Sequence, residues 1–300
     1  MSKHFIIISI VMALFISPVS AQNDLDSLVN KLNKPQKEFV SGTFEGTRVI
    51  NLQTIEKAGS HNLQLMIQHR FGAFNGGAYQ FFGLDQATMR IGFEYGINHL
   101  LAVGLGRSTL DKNYDTYAKL SLLRQSTGPK SFPLSVSYFG SIALQTLKSS
   151  DSAIKLNFST RMAFTHQLII ASKINSRLSV EIVPTFIHKN LVQGINDRND
   201  FYAVGFGARW RFAKRSSFNI EYIYRILPKD KTAPSYADYY NSFSVGFDIA
   251  TGGHVFQLHL TNSLPMIEKG FITETNEKWS NGGIHLGFNL SRDFSFGKKS

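Results

Sequence analysis

The chain contains no cysteine. That excludes disulfides, thiolate metal sites, thioether-attached haem and cysteine nucleophiles. Proline is sparse, at 8 of 300 residues, and acidic residues are outnumbered, 21 against 32 lysines and arginines. No apolar run reaches the roughly 17–25 residues that a membrane-crossing helix needs. The nearest, Phe5 to Ile16, follows the basic start Lys3-His4 and precedes Ser17-Pro18-Val19-Ser20-Ala21. A charged start, an apolar middle and small residues before a cut describe a secretory leader. It spans residues 1–21, and cleavage is expected after Ala21. Gln22 follows, so the new terminus has no cysteine to carry a lipid.

Aromatics, by contrast, are plentiful, with 25 Phe and 11 Tyr, and the formal charge is +11. Loss of Lys3 with the leader leaves about +10. In an exported chain this charge suits anionic lipid or polysaccharide, and no nucleic-acid partner is expected. Residues 22–46 read as a polar periplasmic tether with one short helix, Leu25 to Leu32.

From about residue 47 the pattern has period two, and successive side chains of a strand point to opposite faces. In Phe201–Phe212 one face carries Tyr202, Val204, Phe206, Ala208, Trp210 and Phe212. The other carries Ala203, Gly205, Gly207, Arg209 and Arg211. Phe218, Ile220, Tyr222 and Tyr224 repeat the pattern, as do Phe243, Val245, Phe247 and Ile249, and Met89, Ile91, Phe93 and Tyr95. A soluble sandwich also alternates, but its polar face would be rich in Lys and Glu. Here that face is mostly Gly, Ala and Ser, and aromatic and basic residues gather at the strand ends. This is the signature of a transmembrane β-barrel. The fold class is therefore all-β, a single antiparallel barrel.

Thirteen alternating segments can be drawn, at 47–56, 61–71, 88–96, 100–108, 114–126, 133–147, 160–173, 177–188, 200–213, 217–226, 241–250, 254–262 and 283–296. Links after odd-numbered segments are short, and most links after even-numbered ones are long. Outer-membrane barrels have short periplasmic turns and longer outer loops. Twelve strands over residues 61–300 then start and finish in the periplasm. The first segment is left over, a pre-barrel strand (residues 47–60) expected in the lumen or at the periplasmic mouth.

Several pieces carry a resemblance: Thr47-Arg48-Val49-Ile50-Asn51, His69-Arg70-Phe71-Gly72, Phe82-Gly83-Leu84-Asp85, Arg90 to Gly96, Gly104 to Ser108, Lys119 and Leu123-Arg124-Gln125. In these the chain resembles a Bacteroidota β-barrel family catalogued as a domain of unknown function. The resemblance implies a barrel in the outer membrane and transfers no catalytic residue.

Taking the non-apolar faces as the lumen collects Arg70, Arg90, Lys119, Arg161, Arg209, Arg211 and Arg225, opposed by Glu94, Glu181, Glu221 and Asp248. An Arg or Lys facing lipid at mid-depth would cost about 2–4 kcal/mol, so these side chains are expected inside. They can fill the interior as a salt-bridge network, the favoured reading, or line a channel that prefers a small anionic solute. The expected surroundings are outer-membrane lipids and the barrel-insertion machinery.

No cofactor and no metal are expected, because His-x-x-His and His-Glu-x-x-His spacings are absent. A lipid hydrolase would need Ser and His adjacent on the lipid face. His259 falls on the inward face, with His285 also assigned there, while His166 lies on an apolar face beside Phe164 and Leu168. Gly104-x-Gly106 and Gly205-x-Gly207 lie inside strands, which rules out nucleotide loops. Pro184 is expected at a bulge. The aromatic, glycine-rich segment from Phe74 to Phe82 is expected to fold into the mouth or to form a mobile outer loop. The sequence therefore favours a pore or transporter and not an enzyme, with a structural barrel that holds a partner as the alternative.

Overall fold

The computed structural model describes residues 36–148, 156–192, 197–227 and 238–296. The expected leader and the Leu25–Leu32 helix lie outside them. Two compact units divide the chain, Met1–Glu38 with Thr127–Ser131, and Phe39–Ser126 with Phe132–Ser300. In the first, Gly128 turns at φ 85° against the carbonyl of Gln36, where a Cβ would find no room.

The second unit holds twelve antiparallel strands closed into a barrel. They are β1 Asn62–Ala73, β2 Ala87–Gly96, β3 Leu101–Ser108, β4 Asn113–Leu123, β5 Ser135–Gln145, β6 Met162–Lys173, β7 Leu178–Lys189, β8 Asp200–Ala213, β9 Ser216–Ile226, β10 Ser242–Thr251, β11 His254–Thr261 and β12 His285–Ser295. Each pairs with its sequence neighbours. β12 closes on β1 through pairs such as Phe288 with His69 and Leu290 with Ile67. No strand of the wall is left with an unpaired edge, which removes the usual template for aggregation.

The alternation read from the sequence sets the faces. On β8, Tyr202, Phe206, Trp210 and Phe212 are exposed on the outside, while Ala203 and Arg209 are buried. The register pairs Phe206 with Tyr222 and Gly207 with Glu221, so like faces meet across the ladder.

Pro184 is not at a bulge. The β7–β8 register runs through it, opposite Val204. On the other side the β6–β7 ladder stops at Gln167–Thr185 and resumes at Ile170–Ile182 in the same register. Proline lacks the N–H that a ladder bond needs, so the missing donor leaves a gap without adding a residue.

Three turns, Ile97–Leu100, Lys214–Arg215 and Gly252–Gly253, show how short the links are at one end. The other end carries the long loops. One of these holds two short 3-10 turns, Phe74–Gly76 and Ala78–Gly83. It lies on the surface, with Tyr79, Phe81 and Phe82 exposed. The loop after β11 instead turns inward through helix α1, Glu268–Thr273, all six residues of which are buried.

Candidate functional site

The interior of the barrel is occupied by the chain's own segment 42–58. The strand expected over 47–56 is absent. In its place is a tight hairpin with a single bridge, Arg48 to Gln53. Val49 N donates to Leu52 O at 2.9 Å and Thr54 N to Thr47 O at 3.0 Å. A strand needs a neighbour's ladder, and the wall strands already pair with each other. The hairpin's backbone is therefore satisfied by side chains of the lumen. The tether expected to reach residue 46 also ends sooner, because Thr43 and Phe44 are already buried.

Glu221, on β9, holds the tip. Its Oε2 accepts from the backbone N–H groups of Ile50 at 3.1 Å, Asn51 at 2.9 Å and Leu52 at 3.0 Å. Its Oε1 accepts from Asn51 Nδ2 at 2.7 Å and Ser244 Oγ at 3.1 Å. Three successive N–H groups turned to one oxygen form an anion-binding nest, here filled by a wall carboxylate.

The remaining polar groups of the tip go to other strands. Arg70 Nη2 donates to Asn51 Oδ1 at 2.8 Å, Asn289 Nδ2 to Ile50 O at 2.9 Å, and Gln257 Nε2 to Val49 O at 3.0 Å. Lower down, Lys119 Nζ donates to Glu56 O at 2.8 Å, and Glu94 accepts from Ala58 N at 2.7 Å. From the long-loop end, Glu268 of α1 meets Arg48 at 3.1 Å and accepts from Gln53 Nε2 at 3.0 Å. The hairpin and the folded-in loop thus touch in the middle of the lumen.

The sequence-assigned residues divide into groups. Arg70, Glu94, Lys119, Glu221, Arg209 and Arg211 contact the hairpin or its stem, the last two through Glu45 at 3.1 and 2.8 Å. Arg90 and Asp115 form a buried ion pair within the wall. Asp248 accepts from Gln257 at 3.0 Å. Glu181 is buried beside Gly207 and Val49, and neither of its carboxylate oxygens has a hydrogen-bond partner among the described residues. Arg225 is buried near the long-loop end, its guanidinium over the Tyr239 ring at 5.9 Å.

Arg161 is a correction. It lies in a 3-10 turn, Ser159–Arg161, ahead of β6. There, outside the strand in which it was expected, it donates to the loop carbonyl Leu147 O at 2.7 Å.

Sequence reasoning missed the roles of Glu45, Gln257, Glu268 and Asn289, which have no motif to mark them, and of Asn51, which lies in a matching piece that assigns it no role. It also missed that one side of the interior is apolar. Ala171, Ile187, Ala203 and Ile223 of the wall pack with Phe44, Val49 and Leu52 of the hairpin and Phe271 and Ile272 of α1. Phe139, Ile169 and Val183 form a second patch, with Ile55 and Tyr117 against it.

The histidines do not assemble a site. His259 is buried inside, and His285 Nδ1 donates to Phe71 O at 2.9 Å. His166 does face outward, with its Nδ1 2.6 Å from the Tyr138 hydroxyl. Among the described residues no group of three or more His, Asp or Glu side chains could hold a metal ion.

The model of the family described as "Membrane bound beta barrel domain (DUF5777)" matches residues 44–294. The chain belongs to this family. The DUF5777 match begins ahead of the hairpin, so the family domain includes the lumen segment as well as the wall. Among solved structures the chain is similar to the COG4313 outer membrane channel from Pseudomonas putida F1. The TM-score is 0.50 at 14% identity, covering 86% of this chain and 100% of that one. It is also similar to the NanC porin, with TM-score 0.48, 8% identity, and 78% and 100% coverage. The KdgM porin gives 0.44, 10%, and 79% and 99%. These likenesses concern the fold. No curated protein matches the sequence.

Proposed function

We propose that the chain is an outer-membrane pore for small solutes, held shut by its own N-terminal hairpin. In this reading the leader takes it across the inner membrane, and the barrel-insertion machinery places it in outer-membrane lipid with the short turns facing the periplasm. The observation that carries the reading is the nest at Glu221. The hairpin is not a strand of the wall, so it can leave without breaking a ladder bond. Its tip is held by one side chain's hydrogen bonds and by amides and arginines that water could replace.

A cysteine-free chain allows a clean test. A Cβ on Gly207 would lie 3.0 Å from Val49 Cγ2, so the two positions face each other between wall and hairpin, and a disulfide joins Cβ atoms ~3.5–4.5 Å apart. Val49→Cys with Gly207→Cys is expected to be silent in planar bilayers when oxidised and to open on reduction. Equal conductance in both states would remove the pore reading.

The filled lumen also favours a structural barrel with a permanent core. That reading predicts no conductance in any hairpin variant, together with a large loss of thermal stability when the hairpin is deleted.

A further inference from the structure

The short-turn end of the lumen gathers three cations around residues 41–45, two of them on the Glu45 carboxylate. Arg209 Nη1, Arg211 Nε and Arg211 Nη2 lie 3.1, 3.1 and 2.8 Å from Glu45 Oε1. Arg209 Nη2 donates to Gly42 O at 3.0 Å, and Lys173 Nζ donates to Ser41 O at 2.8 Å. Among the described residues, every hydrogen bond from these three charged groups ends on residues 41–45 and none on the wall. The Arg209 side chain is 0% exposed, and its Nε has no partner there. Two buried or half-buried guanidiniums without a wall acceptor are costly unless an anion sits on them. When the hairpin leaves, Glu45 leaves with it.

A track of small residues leads away from the arginines, passing between Glu181 and Glu221 at Gly207 and turning apolar beyond it. The inward positions along β8 above Arg209 are Gly207, Gly205 and Ala203, and Ile187 and Ile223 flank Ala203 in the same cluster. A Cβ on Gly205 would strike Leu52 Cδ2 at 2.8 Å, and one on Gly207 would press Val49 Cγ2 at 3.0 Å. The missing side chains are the space in which Val49 and Leu52 lie. Arg209 to Ala203 spans about 20 Å at a strand's ~3.3 Å per residue. The hairpin therefore offers the wall a carboxylate followed by an apolar body.

We infer that the surface under the hairpin binds an amphipathic organic anion. Its carboxylate or sulfonate head sits on Arg209 and Arg211, and its apolar tail lies along the glycine track. Glu45, Val49 and Leu52 are the internal stand-in for it. This rests on the pore reading, since the site is reached only when the hairpin moves. It narrows the solute class. A small inorganic anion would leave the apolar track in water, and a neutral hydrocarbon would leave the arginines unpaired.

The test is equilibrium retention of radiolabelled decanoate by the full chain in phosphatidylcholine nanodiscs, against empty discs. Glu45→Gln removes the internal competitor's charge and is expected to bind about tenfold tighter than the wild type, the competitor having reduced the fraction of open sites. Arg211→Gln in that background, at a position partly open to solvent and tolerant of change, is expected to return retention to the level of empty discs. Decanesulfonate should displace the label, and acetate and decyltrimethylammonium should not. Equal retention by wild type and Glu45→Gln, or retention unaffected by Arg211→Gln, overturns the assignment. Conductance of the same variants separates the two readings. A conducting Glu45→Gln chain that retains no decanoate keeps the pore and loses the ligand. Retention with no conductance in any variant keeps the site and loses the pore.

Discussion

Glu221 shows how one carboxylate can govern an interior. Its two oxygens take hydrogen bonds from three backbone N–H groups and the Asn51 amide. Charge-assisted bonds of this kind contribute about 1.5–3 kcal/mol each, with non-additive totals. Glu221→Gln keeps the shape, gives up the charge and turns an N–H₂ toward donors. A loss of about 3 kcal/mol would shift the balance between hairpin in and hairpin out by roughly a hundredfold. The expected readout is a rise in open probability in planar bilayers with unchanged single-channel conductance. An unaltered open probability would show that the tip is held by something else. Serine at 221 would be a harsher change, because it would leave three N–H groups without an acceptor in a site with little access to water. The face on which Glu221 lies was legible from period two alone. Its role was not, since its partners are backbone groups 169–171 residues away, and backbone groups carry no residue signature.

At the scale of elements, the loop after β11 behaves as a second closure. Its helix α1 is too short to be stable alone, since isolated helices under about 12–15 residues are marginal. It is held by Phe271 and Ile272 in the apolar cluster and by charge at its C-terminal end. There Lys189 Nζ lies 2.8 Å from Glu274 Oε1 and Lys269 Nζ 4.0 Å. Burial alone would push the Glu274 carboxyl up, but the two ammonium groups more than offset it and hold the group below its usual 4.5. A depressed folded value means the tie is fully present above the free value and lost as pH falls through the lowered one. Acidification below the free value of 4.5 is expected to loosen α1. The measurement is hydrogen exchange of the 268–273 amides, corrected for intrinsic rate. Glu274→Gln should flatten the change in that window; the same profile in both chains would place the tie elsewhere. Nothing in the sequence told this loop apart from the exposed one at 74–86. Both are long and contain Gly and aromatics, and only the loop after β11 finds an apolar patch within reach.

For the whole molecule, closure and membrane residence depend on the outward apolar band. Phe206 is exposed near the middle of β8, on the face that meets acyl chains in a membrane barrel. Phe206→Arg is expected to cost about 2–4 kcal/mol of folding stability in vesicles, falling toward zero for the same change at a strand end. Urea titration of refolding into lipid vesicles would measure it. A null effect at mid-strand would mean that this face does not meet hydrocarbon.

The sequence by itself determined the wall: strand number, which side chains face out, which end carries the long loops, and that one segment is surplus to an even-numbered barrel. These follow from local periodicity and link length, which are written along the chain. Only the tertiary structure decided what fills the cylinder. The hairpin, the inward loop, the apolar side of the lumen and the arginine pair on Glu45 all arise from contacts between residues far apart in sequence. Such contacts depend on the curvature of the closed sheet, and period two carries no information about them.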